Sequence, residues 1–240
     1  MITLENLLSS SVHLGHNIKQ WNPKMAPFIY GERNNIHIID IVQTAIYLEK
    51  AVNFVLKSAS QNKKFLFVST KVQFAPLIEQ YATDSNSFFI TNRWLGGTLT
   101  NWFTIKECIN KLKILGESEQ LENSKGKLTK KEIFLLNKRK SRLNKFFRGL
   151  KGMDKLPDII ILIGQNNEMI AVKECLKMKI TLISILDTNC DPRLTDFIIP
   201  ANDDSISSIS IILNELNLAI SETKCTYINN YIYIHNSLIL

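Results

Sequence analysis

Cysteine is scarce in this 240-residue chain, and the few thiols are scattered. Cys108, Cys175, Cys190 and Cys225 form no C-x-x-C pair, and none stands at metal-ligand spacing from a histidine. That excludes a disulfide framework and a zinc ribbon, and suits a reducing compartment. Long hydrophobic runs are missing too. The longest, Ile159–Ile163, is far short of a bilayer span, so no membrane partner is expected. Met1-Ile2-Thr3-Leu4-Glu5-Asn6 has neither a charged lead into an apolar stretch nor an Arg-rich amphipathic character, so no cleavable leader is expected. Neither G-x-G-x-x-G nor G-x-x-x-x-G-K-[ST] occurs. The common phosphate-cradling loops are therefore excluded, and no cofactor is expected.

What the chain does have is an uneven charge. Residues 104–155 hold fifteen Lys/Arg and six Asp/Glu, a net +9, whereas the whole chain is +7. The remainder therefore sums to −2, and one concentrated basic segment sits in nearly neutral packing material. Such a block is the electrostatic footprint of a polyanionic partner, nucleic acid first. At 45% hydrophobic and 21% charged the chain can bury a core and is globular.

Short apolar runs at 36–39, 65–69, 88–90, 159–163, 182–186 and 197–199 read as strands. They are continuously apolar rather than alternating, which suits strands covered on both faces of a parallel sheet. Helical patterns lie between them: one capped by Asp40, one near 73–81, one near 168–178 and one at 205–221. The alternation implies an α/β doubly wound domain. The basic segment interrupts it. Trp102, Ile105, Ile109 and Leu112, then Ile133, Leu136, Lys140, Leu143, Phe147 and Leu150, step by three and four as heptad seams do. Gly116 is placed to end the first helix, and Thr129-Lys130-Lys131-Glu132 is a capping box for the second. An antiparallel coiled-coil hairpin inserted between the third and fourth sheet strands is expected.

Four further stretches carry candidate chemistry. Thr91 to Trp102 includes Arg93, for a phosphate, Trp94, for a base or the core, and the Gly96-Gly97 pair, for a tight turn. His13-Leu14-Gly15-His16 suggests a metal pair but lacks the further ligands zinc needs. Lys19, Trp21, Lys24 and Arg33 mix basic and aromatic groups in a Pro/Gly-punctuated stretch, as single-stranded RNA contacts do and as a packed N-terminal arm does equally. Asp187, Asp191, Asp203 and Asp204 lie past apolar strands, where enzymes of this architecture bind ligands. Turn chemistry and helix capping account for them without a metal.

Val12-His13-Leu14-Gly15-His16, Trp21-Asn22-Pro23-Lys24-Met25, Arg93 to Asn101, Leu156-Pro157-Asp158, Asp187-Thr188-Asn189-Cys190-Asp191-Pro192 and Ile199 to Asp204 fall in one order. With them the chain closely resembles the bacterial-type small-subunit ribosomal protein S two family over roughly residues 1–222. The resemblance implies a flavodoxin-like doubly wound parallel sheet, with residues 1–103 and 156–222 as one α/β domain, including an N-terminal arm at 1–35. It implies a structural, non-enzymatic role in the small ribosomal subunit, with rRNA and neighbouring ribosomal proteins as partners, an mRNA-recruiting one among them. The variants at 189–191 and 200–204 look most like plastid members, and the Ile/Asn/Lys-rich composition fits an organellar genome. Plastid stroma is thus the expected location and bacterial cytoplasm the alternative. Gly164-Gln165 and Lys179-Ile180-Thr181 depart from many bacterial relatives, which puts any shared ion site near Gly164 in doubt. Residues 223–240 match nothing and read as an extra strand, an ordered arm or a disordered end. The rRNA-binding candidates on the hairpin are Lys127, Lys130, Lys131, Lys138, Arg139, Arg142, Lys145 and Arg148. A nucleotide- or metal-dependent enzyme and a free nucleic-acid chaperone are the competing readings.

Overall fold

The computed structural model describes residues 3–122 and 130–237, with side chains described for 3–114 and 131–221. In chain order the elements are α1 (Leu4–Ser9), β1 (Leu14–Asn17), β2 (Ile29–Arg33), β3 (Ile36–Ile39), α2 (Ile41–Ser60), β4 (Phe65–Val68), α3 (Ala75–Asp84) and β5 (Phe88–Ile90). Then come α4 (Trp102–Glu122), α5 (Lys130–Phe147), β6 (Ile159–Ile163), α6 (Met169–Met178), β7 (Thr181–Leu186), β8 (Phe197–Pro200) and α7 (Ile206–Ser237).

Five strands form one sheet in the order β5-β4-β6-β7-β8, every pair parallel. Counted from β4 as the first strand this is the order 2-1-3-4-5 of flavodoxin-like folds. The unbroken apolar runs have a direct cause. Phe65, Phe67, Ile159, Ile161, Ile163, Ile183 and Ile185 face one way, into a core closed by α2, α3 and α7. Leu66, Val68, Ile160, Leu162 and Leu182 face the other, into a core closed by α6, the base of α4 and the end of α5. With both pleat faces buried, alternation has nothing to encode.

Residues 36–39 are a strand, but not of this sheet. β3 is the middle strand of a separate antiparallel sheet, β1-β3-β2. The expectation of six strands in one parallel sheet is corrected here. β1 and β2 escaped the sequence reading because they are short, half-exposed and interrupted by Gly15 and Gly31. The N-terminal arm is thus a small sheet, which covers Met25, Phe28, Leu186 and Cys190.

Two boundary expectations also change. α4 runs through Gly116 to Glu122. A lone glycine costs a helix only about 1 kcal/mol, which neighbouring turns absorb. α7 continues to Ser237, so most of residues 223–240 is helical rather than an added strand. The capping box at 129–132 involves Thr129, outside the described residues, although α5 does begin at Lys130. Asp40 caps α2 as expected, its carboxylate accepting from the Val42 and Gln43 amides.

α4 and α5 pack on each other and root in the sheet. Ile105, Ile109, Leu112, Phe147 and Leu150 are buried there, whereas Ile133 toward the start of α5 is exposed. The root is tight at Gly149, where an added Cβ would lie 2.1 Å from the Phe89 carbonyl oxygen. Gly149→Ala should therefore force β5 and the end of α5 apart and cost about 1–3 kcal/mol. Urea unfolding measures it, and a midpoint equal to wild type would remove this contact from the account.

Candidate nucleic-acid interface

The basic projection leaves the domain through the turn after β5, and one carboxylate organises that turn. Glu174, buried on α6, accepts from Gly97 N at 2.7 Å, Leu99 N at 2.9 Å, Trp94 Nε1 at 3.1 Å and Thr100 N at 3.2 Å. Burial alone would raise its pKa; the four donors overcome this and hold it below the ordinary carboxylate range. Gly97 sits at φ +91°, where a β-branched residue would be strained. Trp94 is 4% exposed, with its indole N–H spent on Glu174. Of its two expected destinations it takes the core, which corrects its place among the RNA-contact candidates. Arg93 is exposed.

Along α5, Lys131, Lys138 and Lys145 are exposed and recur every seven residues. They form a line about 10.5 Å between successive members. That line is opposite Leu136, Leu143 and Phe147, the side of α5 turned to the core. Arg139 and Arg142 flank it, both exposed. The Lys145 carbonyl accepts from the Asn92 side-chain amide at 2.7 Å, tying this end of α5 to the turn after β5. Arg148 is different: its guanidinium pairs with Glu79 and lies 6.0 Å from the Phe89 ring centre. It braces the root. Lys127 and the Lys130 side chain lie outside the described residues.

Of the arm candidates, Lys19 and Arg33 are exposed and Trp21 is half-exposed. Lys24 forms an ion pair with Asp191, locking the arm to the loop after β7.

The sheet's carboxyl edge, where an enzyme of this architecture would work, is filled from within. The His16 amide donates to Asp187 Oδ1 at 3.2 Å and to Thr188 Oγ1 at 3.1 Å, while its Nδ1 is 2.9 Å from Asp187 Oδ2. Lys71, after β4, puts its ammonium 2.9 Å from Asp203 Oδ1 and 2.8 Å from Asp204 Oδ1. At Gly15 an added Cβ would meet Thr188 Cγ2 at 2.6 Å, so the arm lies flat on the edge. Asp203 and Asp204 are therefore charge partners of Lys71 rather than helix caps. The turn leading into α7 is instead organised by Asn202, whose Oδ1 accepts from Asp204 N at 2.9 Å and Ser205 N at 3.2 Å. Asp191 keeps its expected turn role, accepting from Arg193 N at 3.1 Å. His16, Asp203 and Asp204 could each offer a cation one ligand atom, all within 4.8 Å of one another. Lys71 already supplies positive charge there. Burial pushes the Cys175 and Cys190 thiols up to about 12, so neither is a nucleophile at neutral pH.

Sequence reasoning missed Glu174, Lys71 and Gly149. Each is an ordinary residue in an ordinary local pattern, and its role comes from contacts with distant segments.

This fold, a 2-1-3-4-5 parallel sheet with a basic helical pair between its β5 and β6 strands, defines a flavodoxin-like domain with a charged extension. Residues 7–223 match the family model described as Ribosomal protein S2, and the chain belongs to that family. It is 56% identical to "Small ribosomal subunit protein uS2c" of Euglena gracilis, over 90% of this chain and 89% of that protein. It is 50% identical to the protein of the same name from Guillardia theta, over 95% and 97% of the two chains. It is 48% identical to "Small ribosomal subunit protein uS2" of Microcystis aeruginosa, over 93% and 84%.

Two measurements check the joint and the edge. Glu174→Gln keeps the shape but turns two amide N–H groups toward an NH2; it should cost about 2 kcal/mol at neutral pH. Wild type should lose this component as pH falls through the lowered Glu174 pKa, while the variant has none to lose. Parallel acid profiles for the two would refute it. The His16 pKa is raised above 6.5, chiefly by its hydrogen bond to Asp187. The stability it adds is full below the unfolded pKa and is lost as pH rises through the folded one. His16→Gln should therefore cost about 1–2 kcal/mol at pH 6 and less at pH 8, by denaturant titration. An equal gap at both values would show that His16 acts by packing alone.

Proposed function

We propose that this chain is a structural component of the small ribosomal subunit, held by rRNA along α5 and by neighbouring subunit proteins. The observation that carries the reading is the line of Lys131, Lys138 and Lys145, flanked by Arg139 and Arg142, on the side of α5 away from the core. Three cations of the domain are already engaged within it: Lys24 with Asp191, Lys71 with Asp203 and Asp204, Arg148 with Glu79. The α5 line faces outward, where phosphates can reach it. Its family and the names of its relatives agree. Phe134 and Leu135, exposed beside the cations, offer an apolar contact for a neighbouring protein, and the mRNA-recruiting kind implied by the resemblance is one such partner.

The chain works without catalysis in this reading. The edge where chemistry would occur is closed by His16 and Lys71, and the two thiols with raised pKa values are unreactive. The plastid ribosome is its proposed location, on the strength of uS2c relatives from two algal lineages. Cyanobacterial relatives stand nearly as near, so a bacterial cytoplasm is the alternative.

The test is co-sedimentation with small subunits together with the salt dependence of rRNA binding. With about four to six phosphate contacts, log affinity should fall against log salt with a slope of about −3 to −5. Reversing Arg139, Arg142 and Lys145 together should flatten the slope by about 2–3 and deplete the chain from subunits. A chain found only in the soluble fraction would sink the proposal, and an unchanged slope would move the RNA contacts off α5.

A further inference from the structure

A cavity of about 270 Å³ opens in the small antiparallel sheet, lined by Trp21, Ala26, Ile29, Gly31, Glu32 and His37. It is smaller than the roughly 300–1,000 Å³ of drug-sized sites, so it takes one ring system rather than an extended ligand. Its floor is unusual. His37 is only 8% exposed, yet neither of its ring nitrogens has a hydrogen-bond partner. A buried polar group left unpaired costs stability and calls for an explanation. Trp21 stands over this ring, centroids 5.3 Å apart and planes tilted by 49°, and keeps 38% of its own surface exposed. Nothing would meet an added Cβ at Gly31, so the wall there is open.

We propose that this cavity receives one unpaired nucleobase from a single-stranded segment of RNA. Trp21 is the stacking face, since every base offers a π-face and aromatic platforms hold extruded bases. The Glu32 carboxylate accepts from an exocyclic amine or a ring N–H at the base edge. The two ring nitrogens of His37 can offer hydrogen-bonding groups of the kind a base edge requires. A base stacked on Trp21 with its edge turned to His37 would give those nitrogens the partners they lack. Lys19, two residues before Trp21, and Arg33, beside Glu32, are exposed and flank the cavity in sequence with charges suited to the adjoining phosphates. Lys24, the other cation of this stretch, is committed to Asp191. That charge setting favours a nucleotide over an apolar protein side chain as the occupant. The proposal rests on the rRNA-binding reading for its class of polymer, but the arm would engage RNA separately from α5.

The test uses the full-length chain free of RNA and the four homo-trinucleotides of adenosine, guanosine, cytidine and uridine. The Trp21 indole N–H, assigned in an NMR spectrum by its loss in Trp21→Phe, should shift saturably with at least one of them. Trp21→Ala should weaken that binding about tenfold or more, while Trp21→Phe keeps most of it. His37→Phe retains a ring in the same space and should lose discrimination among the four bases. Charge reversal at Arg139, Arg142 and Lys145 should leave the trinucleotide affinity unchanged. A Trp21 indole indifferent to all four trinucleotides overturns the proposal, as does a shift produced only by a phenylalanine-containing tripeptide. Equal affinity in Trp21→Ala does the same. If wild type still joins small subunits, that failure belongs to the cavity and leaves the ribosomal reading standing. Trinucleotide binding by a chain that never joins subunits would separate them the other way.

Discussion

One buried carboxylate sets the direction of the whole basic extension. Glu174 gathers four N–H donors from the turn that links β5 to α4, and three of them are backbone amides. A turn held by backbone groups has few ways to move, because each alternative leaves a buried amide or a buried charge without its partner. The turn is thereby fastened to α6, and α6 to the sheet. Helix α4 inherits its exit angle from this fastening, and α5 inherits its position from α4. Cations whose purpose is to meet phosphates at fixed spacing need such a base, since a swinging helix would lose in ordering entropy what the contacts supply.

The opposite edge of the domain shows how a fold shared with many enzymes becomes a scaffold. Carboxylates stand beyond the strands, as in catalytic relatives of this architecture, but each is answered by a residue of the same chain. His16 and Lys24 come from the arm, and Lys71 from the loop after β4. The same contacts attach the arm, so the closing of the edge and the docking of the small sheet are a single event. Fold and function part company here through which charges face outward. On α5 the cations do, and at the sheet edge they do not.

Much of this was legible in the residues because the signals were local or periodic. The five parallel strands announced themselves as unbroken apolar runs, and Asp40 as a cap before a helical pattern. The helical pair followed from three- and four-residue steps at Trp102 to Leu112 and Ile133 to Leu150. What stayed hidden depends on partners far along the chain. β1 and β2 are brief and half-exposed, and they exist because β3 pairs with both. Asp203 and Asp204 looked like caps because they precede a helix, but Lys71, more than 130 residues earlier, claims them. Trp94 was divided between base and core until Glu174 supplied an acceptor for its indole N–H. Gly116 punctuates a turn in isolation, yet it is carried through within α4.

The place of the helical pair in the chain bears on how the protein reaches this structure. β4 and β6 are neighbours in the sheet, yet Phe65 and its partner Ile159 stand 94 residues apart. Pairing of that range carries a large loop-closure entropy and makes for high contact order and slow folding. α4 and α5 contact each other across a much shorter separation. If they pair first, they draw the end of β5 toward the start of β6 and shorten the effective loop that the sheet must close. On that order of events the extension proposed as a contact surface in the folded state would also act as a kinetic clamp on the assembly of the sheet.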